Sequence, residues 1–216
     1  MKISLSLLSL VAAIVVMTAT GLFKSNTQSV GTAVIATKSD KQIGGGFSQL
    51  LPEDLSSRQH AILNAAYEIA KEDGHKNPEL LQGIILQESK AGTLKSYKVA
   101  GHEFGLKTGE RYYGVGQIKV AAAKHVLSKY PQMWSDYNFH TRTDDEVMAK
   151  LIENDHFNLA IASKYLKILK SDNGYNDDAS LAGAYNQGAA GARVHVAQAR
   201  AYANSVMKFV QDLKSQ

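Results

Sequence analysis

Glu88 is the residue of this chain best suited to acid–base chemistry, because of where a helix would hold it. Asn77 is a good N-cap residue and Pro78 follows it at the first helical position, so the pattern predicts a helix over 77–89. Leu81, Ile84, Ile85 and Glu88 then fall at i, i+3, i+4 and i+7, one stripe of that helix. A carboxylate therefore stands where a core leucine is expected. Removal from water disfavours the charged form and raises the pKa, which makes a carboxylic acid a proton donor near neutral pH. The plainer alternative is that Glu88 ends the helix with its carboxylate turned to solvent.

Three further segments carry usable chemistry. Tyr112-Tyr113-Gly114-Val115-Gly116-Gln117-Ile118 sets two glycines just before a helical pattern. Such a turn lets backbone approach a ligand closely, and the Gln117 amide can donate to and accept from the N-acetyl or hydroxyl groups of a sugar. Ala184-Tyr185-Asn186-Gln187-Gly188 puts a phenol and an amide beside a glycine-rich turn. The Tyr185 hydroxyl could bond a neutral catalytic acid while Asn186 holds substrate. Tyr202-Ala203-Asn204-Ser205-Val206 offers a second Tyr/Asn pair. Each has an ordinary structural alternative: loop glycines at a helix start, a buried tyrosine beside a helix C-cap, and core packing for Tyr202.

The elements that must position these residues read as helix after helix. A helix over about 56–73 has Ile62, Ala65, Ala66, Ile69 and Ala70 on its apolar face, and Gly74 stops it. The stretch 90–113 is polar, glycine-bearing and without a period. An alanine-rich helix is expected over 117–129, ended by Tyr130-Pro131. Thr143-Asp144-Asp145-Glu146 has the form of a capping box. It would launch one long helix with Met148, Leu151, Ile152, Asp155, Leu159, Ala162, Leu166 and Leu169 on a single face. Another begins near Asp178, and the last carries Val206, Phe209, Val210 and Leu213. Strand signals are scarce. The expected class is all-α.

Ahead of this domain, Lys2 is followed by an uncharged run from Ile3 to Phe23, with its apolar heart at Leu5 to Met17. That is the layout of an export signal. The run would reach about 30 Å as a helix, enough to cross a bilayer, although its serines, threonines and glycine make a weak span. Thr18-Ala19-Thr20 is only an approximate cleavage site, so residues 1–23 read as a signal peptide or a signal anchor. Residues 24–52 read as a flexible linker rich in Ser, Thr, Gln and Gly, with Val30 to Ala36 patterned as a short strand that has no evident pairing partner. Residues 53–216 then form the folded domain.

Composition excludes several classes. The 216 residues contain no cysteine, so disulfides, thiolate nucleophiles and zinc–cysteine sites are ruled out. The seven histidines are scattered and no His-Glu-x-x-His occurs, so no metal site is expected. The net charge of +4 comes without a dense Lys/Arg run, which reads as a solvated surface and not as a nucleic-acid interface.

Taken in order, Glu88-Ser89, Gly114-Val115-Gly116-Gln117, Ala184-Tyr185-Asn186 and Tyr202-Ala203-Asn204 resemble the motifs of the soluble lytic transglycosylase domain. The resemblance runs from about Ser56 to Phe209. The family pattern is Glu-Ser on a helix, a Gly-Leu-Met-Gln-like turn, Ala-Tyr-Asn before glycines, and a late tyrosine. Val115-Gly116 stand here where the family has Leu-Met, and the stretch between Glu88 and Gly114 is longer than usual. Within that stretch Thr93, Ser96 and Thr108 are all candidates to complete the site.

The resemblance implies a lysozyme-like helical fold. It also implies cleavage of the β-1,4 bond between N-acetylmuramic acid and N-acetylglucosamine in peptidoglycan, without a cofactor. One carboxylate suffices for that chemistry. Protonated Glu88 would donate to the glycosidic oxygen as an oxocarbenium-like transition state develops. As carboxylate it would then take the proton of the muramyl C6 hydroxyl, which attacks C1 and closes a 1,6-anhydro ring. Ser89 and Tyr185 would orient Glu88. Gln117 and Asn186, with backbone near Gly114 and Gly116, would hold the sugars, and Tyr202 would belong to the same binding and orienting set.

Two alternatives stand beside this reading. A goose-type lysozyme-like hydrolase of the same bond would need a second carboxylate about 6.5–9.5 Å away, for which Glu103 and Glu110 are the nearby candidates. A glycan-binding or assembly module would keep the groove without the chemistry. The expected location is the periplasm or cell envelope, with peptidoglycan strands as partner and membrane contact only through an uncleaved 1–23. A secretion, conjugation or phage-assembly machine is a compatible host, and endo cleavage is the default for so short a chain.

Overall fold

The computed structural model of the chain describes residues 55–93 and 111–215, all within the unit Gly44–Gln216. The export segment, the linker, Ser96, Glu103, Thr108 and Glu110 lie outside the described residues. Eight helices occur among the described residues: α1 (Ser57–Glu72), α2 (Glu79–Ser89), α3 (Val120–Lys129), α4 (Met133–Asp136), α5 (Asp144–Glu153), α6 (Asp155–Ser171), α7 (Asp178–Val194) and α8 (Val196–Lys214). Strand-type pairing among them is limited to one isolated bridge between Tyr113 and Ile118. The all-α expectation holds for these residues. None of their helices is long and apolar enough to cross a membrane.

Helix α2 is the centre of the arrangement. Leu80, Leu81, Gln82, Gly83, Ile84, Ile85, Leu86 and Ser89 are all buried, the pattern of a helix covered on nearly every side. Helices α1 and α8 pack against it, and α7 and α8 form the most extensively packed pair. Gly83 permits a close crossing, since a Cβ there would stand 3.0 Å from Val210 and 3.1 Å from the Val206 carbonyl of α8. Pro78 already has helical dihedrals, so the helix is entered through proline as its sequence suggests. Asn77 does not cap it, however. Its Nδ2 donates to Asp178 Oδ2 at 2.6 Å and ties the start of α2 to the start of α7.

Local signals explain most boundaries. Ser56 and Gln59 close a capping box at α1, and Gly74 (φ 76°) turns the chain beyond its end. Besides the Asn77 cap, two expected helix boundaries need correction. The single long helix after Thr143 is two helices, because Asn154 (φ −120°, ψ 94°) leaves the helical region and its side chain accepts from Phe157 N, restarting the ladder. Asp155 is consequently the first residue of α6, where it accepts from Arg58 at 2.6 Å, and is not part of an apolar face. The second correction concerns α3, which starts at Val120 and not at Gln117, because Gln117 has φ 48° and belongs to the preceding turn.

Candidate active site

At the C-terminal end of α2 the backbone turns sharply, with Lys90, Ala91 and Gly92 all left-handed (φ 51°, 53° and 83°). Positive φ at two residues other than glycine costs of order 1 kcal/mol each. Side chains on both sides help hold the turn: Gln59 Nε2 donates to the Lys90 carbonyl at 2.9 Å, and Gly92 N donates to Ser89 Oγ at 2.9 Å. Glu88 therefore sits in the last turn of a buried helix, directly before a fixed reversal of the chain.

The Glu88 carboxyl is crowded by protein although one edge of the residue stays accessible. Burial pushes its pKa up from the ordinary glutamate value to about 7, opposed by one hydrogen bond from Tyr202. That phenol, projecting from α8, donates to Glu88 Oε1 at 2.6 Å. With Oε1 so engaged and no bond to Oε2 among the described residues, Oε2 is the oxygen placed to carry and deliver the proton. The Tyr202 and Tyr185 hydroxyls are themselves raised above the ordinary phenol value, chiefly by burial and then by the Glu88 charge, so both remain donors.

Opposite α2 lies the turn 113–118, closed by reciprocal Tyr113–Ile118 backbone bonds of 3.0 and 2.9 Å. Ser89 Oγ donates to the Val115 carbonyl at 2.8 Å. Tyr185 OH donates to the Gly116 carbonyl at 2.7 Å. Asn158, fully buried on α6, accepts from Gly116 N at 2.8 Å and donates to the Tyr113 and Leu151 carbonyls at 2.9 and 3.0 Å. Gly114 is obligatory here, because its φ is 68° and a Cβ would collide with the Asn158 amide and the Leu151 carbonyl. At Gly116 a Cβ would stand 2.9 Å from Asn158 Oδ1 and 3.0 Å from the Tyr185 hydroxyl.

All four sequence segments thus converge through hydrogen bonds, though not with every role expected of them. Tyr202 bonds Glu88 directly. Ser89 and Tyr185 do not; their hydroxyls fix the turn instead, and Ser89, being fully buried, presents nothing to a ligand. Gln117 Nε2 donates to the Gly114 carbonyl at 2.9 Å, and Asn186 Oδ1 accepts from Gln187 at 2.5 Å. Both amides line a groove of about 150 Å³ together with Tyr112, Lys119, Tyr165 and Tyr185. The Thr93 hydroxyl is spent on the Lys90 carbonyl at 3.0 Å. Among the described residues no group of three or more His, Asp or Glu is placed to hold a metal.

Sequence reasoning missed Asn158. It lies seven residues after Leu151 and four before Ala162, on the expected apolar stripe, and a polar residue there was the available signal. It also missed the groove walls Tyr165 and Lys119, which belong to no motif, and gave no role to Tyr112 at the head of the glycine turn.

Comparison with known proteins adds no name to this geometry. No family model matches the chain, and no match is found among curated proteins or solved structures.

Proposed function

We propose that this chain is an exported peptidoglycan lytic transglycosylase of lysozyme-like fold that cleaves the MurNAc–GlcNAc β-1,4 bond with Glu88 as acid and then base. One observation carries the reading: Glu88, its pKa lifted to about 7, is held through Oε1 by Tyr202 and acts electrostatically on Tyr185, which lines a groove of tyrosines and amides that Glu88 itself does not line. A group that titrates near 7 is divided between its two forms at neutral pH, which suits a residue that must first donate and then accept a proton. Glu88 Oε2 protonates the glycosidic oxygen as positive charge grows on C1 of the muramyl ring. The resulting carboxylate removes the C6 hydroxyl proton while O6 bonds to C1, and the 1,6-anhydro ring closes without water. Glu88 is regenerated protonated at the end.

Among the described residues only burial and Tyr202 perturb Glu88; the candidate second carboxylates, Glu103 and Glu110, lie outside them. Tyrosine faces and the Gln117 and Asn186 amides are suited to sugar rings and their acetamido groups. Digestion of purified peptidoglycan with the full chain and with Glu88→Gln, read by mass spectrometry, tests the proposal. The expected products end in 1,6-anhydromuramic acid, lighter by one water than hydrolysed ones, and are absent with the variant. Reducing-end products would replace it with the hydrolase and direct mutagenesis to Glu103 and Glu110. Tight binding to wall without release would leave the glycan-binding module.

A further inference from the structure

Among the described residues, the groove is lined by charge of one sign only. Among its lining residues Lys119 is the single charged side chain, and no carboxylate shares the wall. Its ammonium lies 4.8 Å from the centroid of the Tyr112 ring, and Tyr112 is one of three large hydrophobic side chains exposed among the described residues. That stacking is a cation–π contact, which confines a flexible lysine over one wall of the groove. No carboxylate of the described residues pairs with it, although five ion pairs occur elsewhere among them.

Local structure gives no reason for lysine at this position. Residue 119 is the N-cap of α3 (φ −73°, ψ 144°) and makes no side-chain capping bond. N-caps favour Ser, Thr, Asp or Asn, and the positive end of the helix dipole disfavours a cation. Nor does a neutral sugar require it. Tyr165, Tyr185, Gln117, Asn186 and Gln187 already supply ring faces and amides. A cation beside them fits a glycan that carries a carboxylate.

We propose that Lys119, held over Tyr112, is a specificity-determining residue that pairs with the carboxylate borne on the muramyl substituent, so that the groove prefers anionic glycan to a neutral glycan of the same backbone. This rests on the glycan-cleaving reading above. The carboxylate can be that of the lactyl group itself or one on an attached peptide; both present the same chemistry to the ammonium.

Calorimetric titration of the full chain carrying Glu88→Gln, which holds substrate uncleaved, separates the possibilities. The probes are chitohexaose, a peptide-free GlcNAc–MurNAc oligomer, and the same oligomer bearing peptide stems. At low salt the anionic oligomers bind about tenfold more tightly than chitohexaose, the order expected of one charge-assisted contact. Adding Lys119→Gln removes that preference, weakening the anionic oligomers about tenfold more than chitohexaose, whereas Lys119→Arg retains it. A preference confined to the stem-bearing oligomer assigns a peptide carboxylate; one confined to the peptide-free oligomer assigns the lactyl carboxylate, which the stem's amide bond consumes; one shared by both shows that either carboxylate reaches the ammonium. The proposal is overturned if Lys119→Gln leaves the preference intact or weakens all three probes alike. If wild-type Lys119 in this background binds none of the probes, it is the glycan reading itself that fails.

Discussion

Glu88 and Glu146 are both glutamates at helix ends, one in the last turn of α2 and one in the first turn of α5, and their environments drive them in opposite directions. Glu146 accepts from the backbone N–H groups of His140, Thr141 and Arg142 at 2.7, 2.7 and 2.9 Å, and from the Thr141 hydroxyl at 2.9 Å. These donors stabilise the anion and hold its pKa down at about 2, led by the His140 N–H. Among the described residues Glu88 has one donor, the Tyr202 phenol, and burial lifts it to about 7. Both regions contain irregular backbone rich in polar groups. The difference is who uses them. In the loop before α5 the amide groups go to the carboxylate; in the turn 113–118 they go to Asn158, Ser89, Tyr185 and one another. Neutral side chains satisfy the turn and leave Glu88 insulated.

The largest separation between the two should appear in catalysis. Glu88→Gln is expected to lower release of anhydro-muropeptides by on the order of 10³-fold, the usual worth of a general acid–base residue, while Glu146→Gln changes it less than twofold in enzyme that remains folded. Equal losses in both would mean that Glu88 acts through stability alone.

Removing the insulation comes next. Asn158→Leu strips the side-chain partner from the Gly116 N–H and the Leu151 carbonyl, and one of two donors from the Tyr113 carbonyl, which keeps Ile118 N–H; an unmet buried group costs about 1–3 kcal/mol before relaxation. We expect a net loss of about 3 kcal/mol and a fall in Tm of roughly 10 °C in thermal unfolding. A change under about 1 kcal/mol would show that the turn is held without Asn158.

A third test uses pH and stability together. Glu88 is raised from the ordinary value of 4.5 to about 7, so its proton is held more tightly in the folded state. Its favourable contribution is complete below pH 4.5 and is lost as pH rises through 7. Glu88→Gln should therefore match wild type near pH 4 and exceed it at pH 8, by about 2–3 kcal/mol. An inactive variant that is also more stable in alkali would mark a residue whose charge the fold tolerates for chemistry. A variant less stable at pH 8 would contradict the burial argument.

Tyr202→Phe is a smaller perturbation of the same site. The phenol favours the charged carboxylate and opposes burial, so its removal raises the Glu88 pKa further. The alkaline limb of kcat/KM should move to higher pH by about half a unit to one unit, with a several-fold fall at the optimum from lost orientation. A limb displaced toward acid would reverse the sign assigned to this bond.

These residues also show what a sequence can reveal. The helical stripe through Leu81, Ile84 and Ile85 marked Glu88 before any contact was known, because burial on a helix is periodic. Ser89 and Tyr185 were recognisable as site residues, but the direction of their hydroxyls depends on which carbonyl the tertiary fold brings near, and no local pattern records that. The break at Asn154 was hidden by apolar spacing that continues across it, although Asn is a capping residue and its side chain does restart the ladder. Alanine-rich sequence after Gln117 makes it look like the start of α3, because a positive φ outside glycine leaves no signature in composition.

The smallest expected effect belongs to Glu146, and its sign is what matters. Its pKa is depressed from 4.5 to about 2, so the stabilisation from its charge is present above pH 4.5 and is lost as pH falls from there toward 2. The Glu146 side chain replaces the usual partner of a capping box: Thr143 accepts from Glu146 N, but the carboxylate reaches back past Thr143 to residues 140–142. Glu146→Gln keeps one acceptor oxygen and removes the charge, so at pH 7 its Tm should fall by only a few degrees. That gap should close as pH is lowered toward 2, where wild type has lost the charge as well. The same substitution at Glu88 opens its gap in alkali and with the opposite sign. A Glu146→Gln deficit that stays constant from pH 7 to pH 2 would show that shape and not charge anchors the loop. The contrast between donors that hold a carboxylate ionised and burial that keeps one neutral would then rest on Glu88 alone.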